Sequence, residues 1–215
     1  MILKLNSKCI SALVMLFASA CAVAGVYEDM IEAVKTDQVT VMKKLVSRGF
    51  DVNTTDVEGN TLLMMAAKEG SGGAVSLLLS AKARIDGRNQ FGETALMLAS
   101  IQGRLEIVRT LLQGGAEFNH QGWTPLMYAA TNGHANTVRL LISYGAQVNA
   151  RADNGFTALM MAAREGHEAV VALLLASGAD RTLKSDAGGT AVSLARERKH
   201  MGVTRLLEPG GSKSP

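Results

Sequence analysis

The sequence predicts an all-α solenoid of helix–turn–helix units joined by β-hairpin loops. Three observations carry that prediction. A Gly-x-Thr motif recurs with a period near 33 residues, an apolar Ala-rich run follows it, and a Leu-rich segment closed by Gly-Ala comes later in the unit. Periods of this length mark stacked units, none of which can bury both its faces alone. Apolar residues make up 47% of the 215, enough for a buried core and too many for wholesale disorder.

The chain opens with Lys4 and Lys8, an apolar run from Cys9 to Phe17, and small residues ending in Ala22-Val23-Ala24. A basic start, a short apolar centre and an Ala-x-Ala end predict a secretory signal peptide over residues 1–24, cut after Ala24. The run is too short for a permanent membrane helix, so no span is expected. Ser19 and Ala20 ahead of Cys21 leave a second export mode open, a lipid anchor on Cys21, although Ala18 stands where such signals usually have Leu. Both cysteines, Cys9 and Cys21, lie in this stretch. A chain cut after Ala24 therefore has no thiol for disulfides, nucleophilic catalysis or thiolate metal sites. The remainder holds 20 basic against 19 acidic residues. So near-neutral a body has no electrostatic reason to bind nucleic acid.

The repeating domain is expected over 25–208. Residues 26–55 have two helical segments, around Met30–Val34 and Val41–Val46, without the Gly-x-Thr opening, and read as an N-terminal cap. Full repeats follow at about 56–89, 90–118, 119–152 and 153–185. Thr61, Thr94, Thr124, Thr157 and Thr190 are spaced 33, 30, 33 and 33 residues apart. A threonine ahead of an apolar run suits a helix start, because its hydroxyl can satisfy free backbone N–H groups. Leu-Met comes next in four units, at Leu63-Met64, Leu96-Met97, Leu126-Met127 and Leu159-Met160. Gly70, Gly103, Gly133 and Gly166 fall between the two helices of a unit, and Gly115, Gly145 and Gly178 end the second helix. The last unit, 186–208, places Arg196, Arg198, Lys199 and Arg205 among its helices and reads as a C-terminal cap with a polar outer face. Pro209 to Pro215 reads as a disordered tail. Asn119 to Gly122 is three steps where Asn53 to Gly59 and Asn149 to Gly155 are six, which predicts one shortened hairpin and a notch in the row of tips.

The pattern resembles the ankyrin repeat, whose signature is Gly-x-Thr-Pro-Leu-His-x-Ala-Ala, then Gly-His, Val-x-x-Leu-Leu and Gly-Ala-Asp; Gly122-Trp123-Thr124-Pro125-Leu126 is its closest copy here. The resemblance covers about 26–208. It implies a concave face, made by the hairpin tips and the outward side of the first helices, that binds partners. At the matching positions stand Glu58, Lys68, Phe91, Ile101, Trp123, Tyr128, Phe156, Met161, Arg164 and Glu165. With aromatics at only 4% of the chain, Phe91, Trp123, Tyr128 and Phe156 in one stripe predict an interface centre, with Trp123, beside the shortened hairpin, less covered than Phe156. The alternative is that a bulky residue after the glycine merely packs on the next hairpin.

Other chemistry is weaker. His134, His167 and His200 are 33 apart, at the starts of second helices. Successive helices lie roughly 8–10 Å apart, too far for one ion to be shared, so they read as helix-start hydrogen bonders. His120, in the shortened hairpin, is expected to be exposed. Met64, Met97, Met127 and Met160 replace the histidine of the ankyrin pattern; Met65 and Met161 stand beside them. Core packing is the plain reading, with soft-metal capture or sacrificial oxidation as the functional ones. Glu69, Glu106 and Glu165 recur on turns with no evident reason to pair. No phosphate loop, metal-ligand spacing or nucleophile motif is present, so neither enzyme activity nor a cofactor is expected. The expected function is non-enzymatic binding of a protein partner in the bacterial periplasm, by a monomer. Two narrower uses stay open: support of catalase in oxidant defence, as the resemblance to some exported bacterial proteins implies, and immunity-type inhibition of a toxin.

Overall fold

The computed structural model describes residues 25–208. The expected signal peptide (1–24), the Cys21 anchor and the 209–215 tail lie outside the described residues. Helix α1 covers 25–35 of the described residues. It is followed by α2 (Val39–Ser47), α3 (Leu62–Glu69), α4 (Gly72–Ser80), α5 (Ala95–Ile101), α6 (Leu105–Gln113), α7 (Pro125–Thr131), α8 (Ala135–Ser143), α9 (Ala158–Glu165), α10 (Glu168–Ala176), α11 (Ala191–Glu197) and α12 (Met201–Leu207). These are six helix pairs in two layers. The first helices α3, α5, α7, α9 and α11 pack in succession, and the second helices α2 to α12 form a parallel row behind them.

Each inner helix from α3 onward starts where its threonine places it. The hydroxyls of Thr61, Thr94, Thr124 and Thr157 accept from the N–H of Met64, Met97, Met127 and Met160 at 3.2–3.3 Å, and Thr190 accepts from Ser193 at 3.3 Å. Each such cap contributes about 1 kcal/mol. Two methionines do more than fill space. The sulfur of Met64 accepts from the Thr61 N–H at 3.4 Å, and that of Met97 from Thr94 at 3.3 Å, so the thioether closes a capping box. All four Leu-Met methionines are buried, at 0–3% exposure.

One link recurs along the stack. The side-chain oxygens of Asn53, Asp86, Asn119 and Asn149 accept from the backbone N–H of Arg84, Glu117, Gln147 and Asp180, each 28–31 residues further along the chain, at 2.8–2.9 Å. The N-terminal cap has a further link: Asp37 accepts from the Gly73 and Ala74 N–H groups at the start of α4.

The three periodic histidines do form hydrogen bonds, but not within their own helices. Nε2 of His134, His167 and His200 meets the carbonyls of Ile101, Thr131 and Arg164 in the preceding unit at 2.8, 2.9 and 3.1 Å. Their rings lie over Gly103, Gly133 and Gly166, which have positive φ of 63°, 73° and 83°. A Cβ there would come within 2.7 Å of the ring. Glycine is required twice, by backbone conformation and by the ring.

The connections turn as hairpin tips without building strands; the described residues hold a single isolated bridge, Thr55 to Thr61. In four tips two backbone bonds close the turn: the N–H of Asp56, Asn89, Ala152 and Ser185 donates to the carbonyl of Asn60, Glu93, Phe156 and Gly189, and the N–H of Gly59, Gly92, Gly155 and Gly188 donates back to the same four residues. The shortened tip at 119–123 has none among the described bonds. Neighbouring tips are also linked where both are full length, by Gln90 N–H to Glu58 O and Asp186 N–H to Asn154 O, each 3.1 Å. The row of tips is thus interrupted at its middle.

Candidate functional site

The concave face divides at that interruption. On its C-terminal half the aromatic side chains are occupied with one another or with the protein. Trp123 and Tyr128 lie with ring centroids 5.2 Å apart at an interplanar angle of 36°. Both Trp123 and Phe156 are half-buried against the core. The Arg164 guanidinium sits 5.6 Å from the centre of the Phe156 ring and pairs with Glu165 at 2.8 Å. Ile101 is half-buried and packed on the core.

Met161 is a correction: it is 1% exposed and offers no surface for a partner. It lies within the wholly buried run Ala158–Ala163 of α9, a helix flanked by α7 on one side and α11 on the other. His120 is another, being half-buried rather than exposed. Its Nδ1 meets the Gln121 carbonyl at 3.0 Å, and its Nε2 is buried with no partner. Of the three turn glutamates, Glu106 pairs with Arg109 at 3.4 Å and Glu165 with Arg164, so two of them do pair.

The N-terminal half is open. A cleft of about 720 Å³ lies between the first two full-length tips and helices α1, α3 and α5. Its apolar lining includes Ile31, Met65 and Leu98, and its rim carries Phe91, 69% exposed, and Val57, wholly exposed. Phe91 is the open aromatic, where the stripe had pointed to Trp123. Glu58 and Lys68 are exposed beside it.

The tips are held rigidly. Asp56 accepts from the backbone N–H of Glu58 and Asn60 at 2.9 and 2.8 Å and from the Asn60 side chain at 2.9 Å. Asn89, 7% exposed, has the same role in the next unit, accepting from Phe91 and Glu93 at 3.0 and 2.9 Å. Side-chain amides then join the tips. Asn60 donates to Glu58 at 3.1 Å, and Asn89 donates to the Asn60 oxygen at 2.8 Å and to Glu93 at 2.9 Å. Partial burial raises the Asp56 pKa, but the hydrogen bonds from Asn60, Glu58 and Gly59 outweigh it and hold the carboxyl below its ordinary value. Tyr27 is raised by burial and then by the Asp56 charge; Tyr128 is raised by burial and then by Glu93. Both phenols therefore sense the acidic tips.

Sequence reasoning missed Tyr27, Ile31, Met65 and Leu98. Met65 and Leu98 stand four residues after Thr61 and Thr94, the register of Tyr128 after Thr124. Carrying that register back would have found them; Tyr27 and Ile31 belong to the cap, which lacks the motif. Among the described residues no cluster of three or more His, Cys, Asp or Glu is placed to hold a metal ion, and no helix is long and apolar enough to cross a membrane.

Helix pairs stacked in two layers, with threonine-capped inner helices and projecting tips, define a repeat solenoid that works through its surface. The chain belongs to the ankyrin repeat family: the family model described as ankyrin repeats (3 copies) matches residues 30–121 and 115–185. Among solved structures it is similar to one chain of the complex between the predatory endopeptidase Bd0816 from Bdellovibrio bacteriovorus and immunity protein Bd3460. The identity is 31%, the coverage 83% of this chain and 96% of that one, and the TM-score 0.74. It is also similar to an ankyrin repeat domain from Acinetobacter baumannii AYE, 32% identical over 83% of this chain and 95% of that one, with a TM-score of 0.73. A curated relative, the protein fem-1 homolog A-like of Mus musculus, is 41% identical over 73 residues, or 34% of this chain. The match spans only 11% of that relative's length. Ankyrin repeats mediate protein–protein interaction and are generally non-enzymatic.

Proposed function

We propose that this chain is a non-enzymatic binding module of the bacterial periplasm that holds a protein partner on its concave face, acting as a monomer. The observation that supports it is the open cleft with Phe91 at its rim. A 69% exposed aromatic beside an apolar floor is the composition of an interface centre. Export rests on the basic, apolar and Ala-x-Ala segments of residues 1–24. The test is capture of partners from periplasmic extract on the immobilised chain, repeated with Phe91→Asp and with Tyr128→Ala, each checked for folding by circular dichroism. Loss of a specific partner with either substitution supports the reading. A partner retained by both places the interface elsewhere.

A narrower reading is favoured by the likeness to the endopeptidase–immunity protein complex: an immunity-type inhibitor that occupies an exported peptidase. Purified chain would then inhibit an exported endopeptidase of its own organism, stoichiometrically and without turnover. Failure to inhibit any of them leaves the general binding reading and removes this one.

A further inference from the structure

The cleft sets two chemistries side by side. Its floor is apolar, from Met65 and Leu98, with Phe91 standing over it. The helix side of its lining carries Lys35, Lys68 and Glu69, so the lining holds four carboxylates against two ammonium groups; its tip side is acidic, from Asp56, Glu58 and Glu93. Their donors are amides: Asn60 serves Asp56 and Glu58, and Asn89 serves Glu93. An amide donor satisfies a carboxylate oxygen and fixes its direction, but leaves the negative charge uncancelled. The ion pairs among the described residues include none of these three carboxylates. Burial is the main cause of the raised Tyr27 and Tyr128 phenols, and the Asp56 and Glu93 charges add to it in turn. The field of the tips is local, because the chain beyond residue 24 is near neutral, at 20 basic and 19 acidic residues. About 720 Å³ holds a few side chains rather than a whole domain face.

We propose that the cleft takes a segment of the protein partner that carries a Lys or Arg next to an aliphatic or aromatic side chain. The apolar side chain lies on Met65 and Leu98 under Phe91, and the cation meets Glu58 and Glu93. This rests on the concave-face binding reading and names the chemistry that face selects.

The probe is a short fluorescent peptide of alternating Lys and Leu, with an alternating Glu and Leu peptide as its counterpart, titrated against the full chain by anisotropy. The Lys-Leu peptide binds, weakens as salt is added, and outcompetes the Glu-Leu peptide. Glu58→Gln/Glu93→Gln lowers its affinity about tenfold, as expected for loss of paired charge at a partly shielded site. Phe91→Ala lowers it by a similar factor, and Glu106→Gln/Glu197→Gln, the same charge change away from the cleft, leaves it unchanged. Equal binding of the two peptides, or an equal loss in the control variant, overturns the proposal. So does a dimer in light scattering that Phe91→Ala dissolves, since a second copy would then be the occupant. The two readings separate in partner capture. A partner lost with Tyr128→Ala but retained by Phe91→Ala and Glu58→Gln/Glu93→Gln sinks this inference alone; one retained by all three sinks the concave-face reading with it.

Discussion

The Nε2 of His134 lies 2.8 Å from the carbonyl oxygen of Ile101, one repeat earlier in the chain, and the same pairing joins His167 to Thr131 and His200 to Arg164. A side chain at the start of each outer helix thus fastens its unit to the end of the preceding inner helix. Stability in a solenoid comes largely from nearest-neighbour terms, so these bonds act where cooperativity is set.

Gly133→Ala tests that fastening. The new methyl is forced into a left-handed backbone and into the His167 ring, 2.7 Å away. Gly145→Ala is the control, with a φ of 94° and no atom within 4 Å of the added carbon. Both lose about 1–2 kcal/mol to backbone strain. Gly133→Ala should lose roughly 1 kcal/mol more, in line with a disturbed, partly buried hydrogen bond. Denaturant melts of the two variants give the difference; equal losses would mean the ring moves aside freely.

Met97→Leu isolates the thioether as an acceptor. Thr94 is 2% exposed, and its N–H donates to the Met97 sulfur. Leucine keeps the volume and removes the acceptor, so a loss of about 1 kcal/mol is expected. Met160→Leu, buried alike but without that bond among the described contacts, should cost less. Thermal melts of the pair decide it.

The repeat period, the threonine starts and the left-handed glycines were legible because each depends on the residue and its immediate neighbours. The Gly-x-Thr spacing located five of the helix starts. What escaped depends on residues a full unit away. Nothing near His134 in sequence indicates that its partner is the Ile101 carbonyl. Met161 and Tyr128 share one register, four residues after their threonines, yet Met161 is covered and Tyr128 is half-buried. The missing residues before Gly122 were visible as a count, but not their effect, which is the loss of tip-to-tip bonds. The open cleft draws on α1, whose lack of a motif hid its contribution to the surface.

Leu111→Ala should destabilise more than Leu206→Ala. Leu111 is fully buried in an interior unit, whereas Leu206 is only partly buried in the terminal pair. Roughly 2–5 kcal/mol is typical for a buried leucine truncation, and the terminal one should fall at least about 1 kcal/mol below its interior counterpart. Urea titrations of both give the order, and a reversed order would make the 186–208 unit an interior one in energetic terms.

Tyr128 offers a titration test of the concave face. Its pKa is raised first by burial and then by the Glu93 carboxylate, so the phenol should ionise above the ordinary value of about 10. Glu93→Gln removes the second cause only. Absorbance of the phenolate against pH should show one tyrosine moving some of the way back down. The sign follows from charge: a neighbouring anion penalises a second anion, so removing it eases ionisation. No movement would mean that the Glu93 charge does not reach Tyr128.

Phe91 and Trp123 should separate binding from folding. Phe91 is 69% exposed, so Phe91→Ala should stay within about 0.5 kcal/mol of the parent in a melt. Its effect should appear in partner affinity, where truncating an aromatic anchor costs about 2 kcal/mol or more. Trp123 packs against the core and against Tyr128, so Trp123→Ala should cost on the order of 2 kcal/mol in stability, less than a fully buried ring. The His134→Ala/His167→Ala double variant removes two inter-unit bonds and should lower the melting midpoint while leaving affinity for the partner intact. Each is measured twice, by denaturant melt and by binding to the captured partner. Should Trp123→Ala abolish binding without loss of stability while Phe91→Ala changes neither, the interface lies beside the shortened tip and not over the open cleft.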